Sequence, residues 1–311
     1  MLSKIINVLD YTLIHATIRA STPILFAALS ACLTQQANIL NVGIEGVMLS
    51  GAFTAVAVSF FTGSWIIAII ASVIVGVLIS WIIGIAHLKY KADVFAVGTV
   101  INMLVLALTK FFLNELLGTT GSFQSPKVAP IPTIRFGFLA KNPVINSLFN
   151  GYSFFEIFGL ITVFVLWYIL YKTEWGLRVR SVGLNPMAAE TAGIDSYKTK
   201  FRVVLLSGIL GGLAGAHLSL GYSNMFVENM TNGRGFMGVA AMFFGGMNPI
   251  FAWIGTLLFG LADSIGSRLQ AYGMPSQFIL MIPYVATIAV LSVSMIASIK
   301  RVQKRKSSLT K

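Results

Sequence analysis

The chain has 311 residues, of which 56% are hydrophobic and 10% are charged, and its formal net charge is +12 at pH 7. A soluble globular domain carries about 25% charged residues, so this composition excludes a protein whose whole surface faces water. Several apolar runs exceed the ~18 residues that indicate a membrane-spanning helix and show no strand-like alternation, so the sequence predicts an all-α polytopic membrane protein.

The basic residues lie beside the ends of the apolar runs. Six of the 22 Lys and Arg fall between residues 172 and 202, and six more lie between 300 and 311. This distribution is the positive-inside bias of membrane proteins and argues against a nucleic-acid partner. The single Cys32 cannot form an intramolecular disulfide and belongs to no metal-ligand pattern, so we expect no metal site. The first residues lack a basic region leading to an A-x-A site, so we expect no cleaved signal peptide.

The apolar runs predict eight long spans and one short segment in a single transmembrane domain covering residues 1–311. In chain order the spans are 11–33, 47–61, 65–86, 94–117, 152–171, 201–220, 250–267 and 278–299, with a short Gly-rich segment at 236–246. If the short segment crosses the membrane, there are nine crossings; if a broken region is re-entrant, there are eight or ten. The charge bias then places loop 172–202 and the basic tail 300–311 in the cytoplasm, and loop 118–150 and the N-terminus outside.

Two Gly-interrupted segments, Asn41–Gly46 (NVGIEG) and Gly233–Pro249, are too short or too broken to be ordinary spans. Paired interruptions in the two halves of a chain point to a transport pathway. Glu45 and Asp263 are taken as the two acids at or within membrane segments, where a charge faces a pathway or a partner. The candidate pathway residues are Asn41, Gly43, Glu45, Gly46, Asn102, Asn224 and Arg234.

Each of these assignments has a structural alternative. Glu45 can instead cap the Gly-rich turn beside it, and Asp263 can pair with a nearby Ser or with Arg268. Arg19 can extend its charged end to the interface, and it is interpreted, like His217, as an isolated polar residue on an apolar stretch. The chain contains no GxxxxGK[ST] phosphate loop, so we expect it to hydrolyse no ATP and to bind no cofactor itself.

Four ordered motifs give the chain a family resemblance. They are NVGIEGVMLSGAF (41–53), GLRVRSVGLNPMAAETAGID (176–195), FRVVLLSGILGGLAGA (201–216) and GRGFMGVAAMFFGGMNPIFAWIGTLLFGLAD (233–263). Over roughly residues 20–291 the chain resembles the permease subunits of ABC importers for branched-chain amino acids, simple sugars and nucleosides. It is most similar to nucleoside (guanosine-type) uptake permeases, because sugar permeases usually carry an acid followed by Leu-Ser-Val-Gly at the first broken segment.

The polar passage 172–202 contains a short predicted helix. Asn185 is a suitable cap, Pro186 suits a first helical position, and Gly193 can end the helix. The resemblance implies that this is a coupling helix that docks into a groove of the ATPase; the alternative is an ordinary surface helix. The candidate coupling residues are Asn185, Pro186, Ala188, Ala189, Glu190 and Gly193.

The resemblance also implies an architecture and a set of partners. The fold would be a type II-like ABC importer permease, a bundle of about 8–10 helices in the cell membrane. A separate ATPase would use ATP and Mg, a related but different permease would supply the other half of the pathway, and a lipoprotein would deliver purine nucleosides. The alternatives are a simple-sugar importer, a secondary transporter that depends on Glu45 and Asp263, and a membrane enzyme, for which the sequence offers no site.

Overall fold

The computed structural model describes residues 12–134 and 151–271 and contains ten α-helices in these two ranges. The predicted last span at 278–299, the basic tail 300–311, and part of loop 118–150 lie outside the described residues. The helices are α1 (Thr12–Gln36), α2 (Ile44–Thr62), α3 (Trp65–Gly84), α4 (Val94–Leu117), α5 (Phe154–Lys172), α6 (Glu174–Leu184), α7 (Pro186–Thr191), α8 (Ser196–Ala216), α9 (Arg234–Phe244) and α10 (Pro249–Ala271). Two π-helical turns, Ile85–Lys89 and His217–Ser223, extend α3 and α8.

Seven helices in the described ranges are long and apolar enough to cross a membrane, namely α1 to α5, α8 and α10. The all-α polytopic prediction is therefore confirmed. The predicted break after the first span is shorter than expected, because α1 continues to Gln36 and α2 already begins at Ile44. Glu45 and Gly46 thus lie in the first turn of a membrane helix.

The centre of the bundle is formed by α1, α2 and α8, which are buried along most of their length, whereas α3, α4 and α5 present large apolar side chains outward. The small residues of α8 allow it to approach α3 closely. A Cβ on Gly208 would lie 2.6 Å from the carbonyl oxygen of Gly76. Ser72 Oγ lies 2.9 Å from the carbonyl oxygen of Gly51 and 2.8 Å from that of Gly212, which ties α3 to α2 and α8. Small residues act here as they do at other contacts between membrane helices, by letting the backbones approach closely.

Short strands join the connections at one end of the bundle. Antiparallel pairing links β1 (Ser122–Phe123) to β4 (Phe226–Val227). A second antiparallel pair links β2 (Thr133–Ile134) to β3 (Tyr152–Ser153). At the opposite end lie α6 and α7, the helices of the polar passage.

Candidate functional site

The start of α2 is held by two asparagine side chains. Asn41 Oδ1 accepts a hydrogen bond from the backbone N–H of Gly43 at 3.0 Å. Asn102 on α4 accepts from the N–H of Gly46 at 2.7 Å and donates through Nδ2 to the carbonyl oxygen of Val42 at 3.0 Å. A helix start leaves its first N–H groups without intrahelical partners, and these contacts satisfy part of that need. Four of the predicted pathway residues therefore meet here.

Glu45 joins the two broken segments. Its side chain is buried, and its two carboxylate oxygens accept from the backbone N–H groups of Gly233 at 2.8 Å and Gly235 at 2.7 Å. These N–H groups belong to the start of α9, where the helix dipole favours a negative charge. We call this arrangement the Glu45 clasp. The alternative that Glu45 caps a turn is therefore supported, but Glu45 caps the start of α9 and not the Gly-rich turn beside it.

Arg234 lies at the same helix start but pairs elsewhere. Its Nη2 lies 2.9 Å from Asp263 Oδ2 on α10, with side-chain exposures of 16% and 19%. Its Nη1 donates to the carbonyl oxygen of Met230 at 3.1 Å. Asp263 therefore has a structural partner, as the alternative proposed, but the partner of its carboxylate is Arg234. The nearby Ser267 donates to the backbone carbonyl of Asp263 at 2.9 Å, and Arg268 donates to Thr12 Oγ1 at 2.7 Å.

Asn224 is the candidate pathway residue that follows α8. It ends the second π turn in the left-handed region, with φ of 50°. Within the described part of the chain, its buried Oδ1 has no hydrogen-bond partner, and the same is true of Thr231 Oγ1 and Ser264 Oγ. These three polar atoms have hydrogen-bonding capacity that the neighbouring described residues leave unused.

A further acid within the predicted spans was missed from the sequence, and its side chain is buried. Glu156 lies in the first turn of α5, and its carboxylate accepts from Ser153 Oγ and lies 3.4 Å from Nε2 of the buried His217. The interpretation of Glu45 and Asp263 as the only two membrane acids is therefore wrong. Glu156 falls inside the predicted span 152–171, so a count of acids within that span would have found it.

Arg19 has polar partners inside the protein. Its guanidinium donates to the carbonyl oxygen of Gly221 at 3.1 Å and lies 3.9 Å from the Glu156 carboxylate. The reason is that the second π turn brings carbonyl oxygens within reach of α1. Arg19 and His217 are therefore members of one polar cluster and are not isolated.

The short helix of the polar passage, α7, forms where the sequence predicts it. Asn185 Oδ1 accepts from the N–H of Ala188 at 3.1 Å, and Pro186 occupies the first helical position. Gly193 follows the helix with φ of 80°, a left-handed conformation that glycine adopts without strain, and its N–H donates to the carbonyl oxygen of Glu190 at 2.9 Å.

One face of α7 is anchored and the other is free in the described chain. Ala189 is buried, and Ser196 Oγ donates to the carbonyl oxygen of Pro186 at 3.2 Å. Ala188 and Glu190 are exposed. The next helix, α8, is capped by Asp195, whose carboxylate accepts from the N–H of Lys198 at 2.9 Å. That hydrogen bond and the nearby Lys198 ammonium hold the pKa of Asp195 below its usual value.

Two large apolar residues beside this free face were not predicted. Leu184 at the end of α6 is 89% exposed, and Met187 on α7 is 80% exposed. Both lie in the polar passage 172–202, outside the helices that are long and apolar enough to cross a membrane. Paired exposed apolar side chains with polar neighbours are typical of a protein-binding surface. We call Leu184, Met187, Ala188 and Glu190 the α7 face.

Comparisons with known proteins place these features in a family. Residues 13–291 match the model described as branched-chain amino acid transport system / permease component. The guanosine ABC transporter permease protein NupQ of Bacillus subtilis is 34% identical, over 90% of this chain and 91% of the relative. The nucleoside ABC transporter permease protein NupC of Lactococcus lactis subsp. cremoris is 37% identical over 88% of each chain. The putative glucose ABC transporter permease protein TsgC13 of Haloferax volcanii is 29% identical over 91% and 92%. No solved structure gives a significant match.

Proposed function

Because the chain belongs to the branched-chain amino acid transport system / permease component family, we propose that it is the membrane-spanning subunit of an ABC importer that takes up nucleosides, in particular purine nucleosides. The observation that carries this proposal is the likeness to two nucleoside permeases, at 34% and 37% identity over most of each chain. The glucose relative is less similar, at 29%, so a simple-sugar importer is not favoured.

The energy for transport would come from a separate ATPase that binds ATP and Mg. The α7 face is its proposed docking site, because the face combines an anchored helix with exposed Leu184 and Met187. These apolar side chains would be removed from water in the assembled complex, which favours association. Residues 172–202 and the tail 300–311 would then lie in the cytoplasm, in agreement with their positive charge.

The solute would pass beside the two broken segments. Both carboxylate oxygens of Glu45 are already engaged by backbone N–H groups, so we assign Glu45 the role of positioning α9. The buried Oδ1 of Asn224 and the buried Nε of Arg234 have no hydrogen-bond partner in the described chain, and Arg234 lies at the start of α9. These two residues are the better candidates for contact with the hydroxyl and base groups of a nucleoside.

Three partners complete the proposed importer. One is the ATPase, and another is a second permease, related to this chain but different from it, that supplies the other half of the pathway. The third is a lipoprotein that binds the nucleoside outside the cell and delivers it. The permease performs no chemistry on the nucleoside, and its part of the cycle is a change between inward-open and outward-open states.

Uptake of labelled guanosine, adenosine, uridine and ribose tests the substrate class. We expect cells with the chain to take up the purine nucleosides faster than cells without it, and to lose this uptake when the ATPase is deleted. Uptake of ribose alone would replace the proposal with a sugar importer. Uptake that survives loss of the ATPase would indicate a secondary transporter.

The docking assignment is tested by charge reversal on the α7 face. Glu190→Arg changes an exposed side chain, so the protein should reach the membrane in normal amount while ATP-driven uptake falls at least about tenfold, equivalent to about 1.4 kcal/mol of lost coupling. The matched control is Lys91→Glu, also exposed and outside the α7 face, which should leave uptake unchanged. Equal uptake by the two variants would reject the docking assignment.

A further inference from the structure

A polar cavity of about 600 Å³ lies at the α7 end of the bundle, between α6 and the first two turns of α8. Ala192 and Gly193, which follow α7 directly, form part of its rim. Its charged and aromatic walls are Glu174, Trp175, Arg178, Asp195, Lys198 and Arg202.

The cavity has a surplus of positive charge. Arg178 lies 3.8 Å from Glu174, and Lys198 lies 3.0 Å from Asp195, so two of its three cations already have carboxylate partners. Both pairs are exposed to solvent, so each contributes little to stability and leaves its cation available to another anion. Arg202 is exposed and forms no ion pair within the described residues. The net charge of the walls is therefore positive, and Arg202 is the cation best placed to bind an anion.

An apolar groove of about 190 Å³ adjoins this cavity between α5 and α8. Trp175 lines both the cavity and the groove, so the two share a wall. The groove is otherwise apolar apart from one threonine, and its walls include Val165 and Ile169 on α5 and Leu206 and Ile209 on α8. Leu206 is 40% exposed, so no described part of the protein fills this side of the groove.

A single face of α8 runs through both regions. Lys198 and Arg202 line the cavity, and Leu206 and Ile209 line the groove. The spacing of three or four residues places these side chains in one row, which extends over about 17 Å along the helix axis. The row is basic where α8 begins and apolar where α8 enters the membrane. Trp175 lies at the boundary between the basic cavity and the apolar groove. Tryptophan is enriched at the membrane–water interface, where such a boundary is expected.

We propose that this combined site binds one anionic phospholipid of the leaflet at the α7 end. The phosphate of the headgroup would be held by Arg202, because guanidinium groups form strong charge-assisted hydrogen bonds to phosphate. One acyl chain would lie in the groove along α5 and α8. A lipid fits better than a protein segment, because the row on α8 changes from basic to apolar in the same order as a phospholipid changes from headgroup to acyl chain. The proposal goes beyond the transport function and does not depend on the solute.

The headgroup half is tested by lipid binding to the purified assembled transporter in detergent, measured by native mass spectrometry. Phosphatidylglycerol should bind in preference to phosphatidylcholine, and Arg202→Gln should weaken phosphatidylglycerol binding about tenfold, as expected for loss of a charge-assisted bond. Arg202→Lys should keep most of the binding. The control Lys91→Gln removes an exposed positive charge outside the cavity and should change nothing. Equal binding of the two lipids, or equal loss in Arg202→Gln and Lys91→Gln, would overturn the proposal.

The acyl-chain half needs a separate variant. Leu206→Trp should fill the groove and weaken phosphatidylglycerol binding, whereas Leu108→Trp, at a position of similar exposure (41%) on α4, should not. If glycerol 3-phosphate competes fully and Leu206→Trp has no effect, the site binds a soluble phosphate and not a lipid. A cross-link from position 206 to the second permease, with no phosphatidylglycerol bound, would show that a protein occupies the groove.

Discussion

Replacing Glu45 by Gln should destabilise the bundle, because the Glu45 clasp depends on two carboxylate oxygens. A Gln side chain keeps one oxygen, so the N–H of Gly233 or of Gly235 would face an NH2 group instead of an acceptor. A hydrogen bond to a charged group contributes about 1.5–3 kcal/mol and a neutral one about 1 kcal/mol. Weakening one bond and losing the other should therefore lower the free energy of unfolding by about 3 kcal/mol.

The assay is thermal unfolding of the detergent-purified protein, followed by its fluorescence in size-exclusion chromatography. A loss of about 3 kcal/mol corresponds to a Tm lower by about 6–10 °C for a domain of this order of size. Glu115→Gln is the matched control, since it removes the same charge from an exposed position on α4 and should change stability by less than about 0.5 kcal/mol. Nucleoside uptake per folded molecule should fall little. A Tm equal to that of Glu115→Gln combined with lost uptake would refute the positioning role and make Glu45 a direct contact of the solute.

Three further variants test the same region and the coupling segment. Gly235→Ala should lower the free energy of unfolding by at least about 2 kcal/mol, because its Cβ would lie 2.6 Å from the Glu45 carboxylate and 2.8 Å from the Glu45 Cα. The measurement is Tm, and an unchanged Tm would contradict the close contact. Arg234→Gln and Asp263→Asn should each lower the free energy of unfolding by about 2 kcal/mol. The double variant should lose at least about 1 kcal/mol less than the sum of the two single losses, whereas additive losses would indicate that the ion pair is not formed. Asn185→Ala should remove about 1 kcal/mol of cap stability from α7 and reduce ATP-driven uptake at normal membrane abundance. Unchanged uptake would show that coupling does not need the Asn185 cap.

The sequence predicted those features that depend on neighbouring residues. The spans follow from continuous apolar runs. The start of α7 at Pro186 and the turn after it at Gly193 follow from a cap, a proline and a glycine whose preferences act within a few residues. These preferences act locally, which is why the predicted bounds of the spans within the described residues agree with the structure to within five residues.

Pairings between distant residues could not be predicted in the same way. Glu45 could cap the turn beside it or any helix start that the fold brings near, and only the packing of α9 against α1 and α2 selects Gly233 and Gly235. The ion pair of Arg234 with Asp263 likewise depends on the position of α10. Leu184 and Met187 have apolar side chains of the kind that are usually buried. Their exposure is therefore evident only from the positions of α6 and α7 in the fold.

The exposure of Leu184 and Met187 also affects copies of the chain that have not yet bound their partners. A newly made copy without its ATPase would present both side chains to the cytosol on the proposed inner end of the bundle. Chaperones and proteases that survey newly made proteins recognise such unshielded apolar residues, and cells remove molecules that display them. The surface proposed to receive the ATPase would therefore also mark unassembled copies for removal, and the amount of permease in the membrane would follow the supply of its partner.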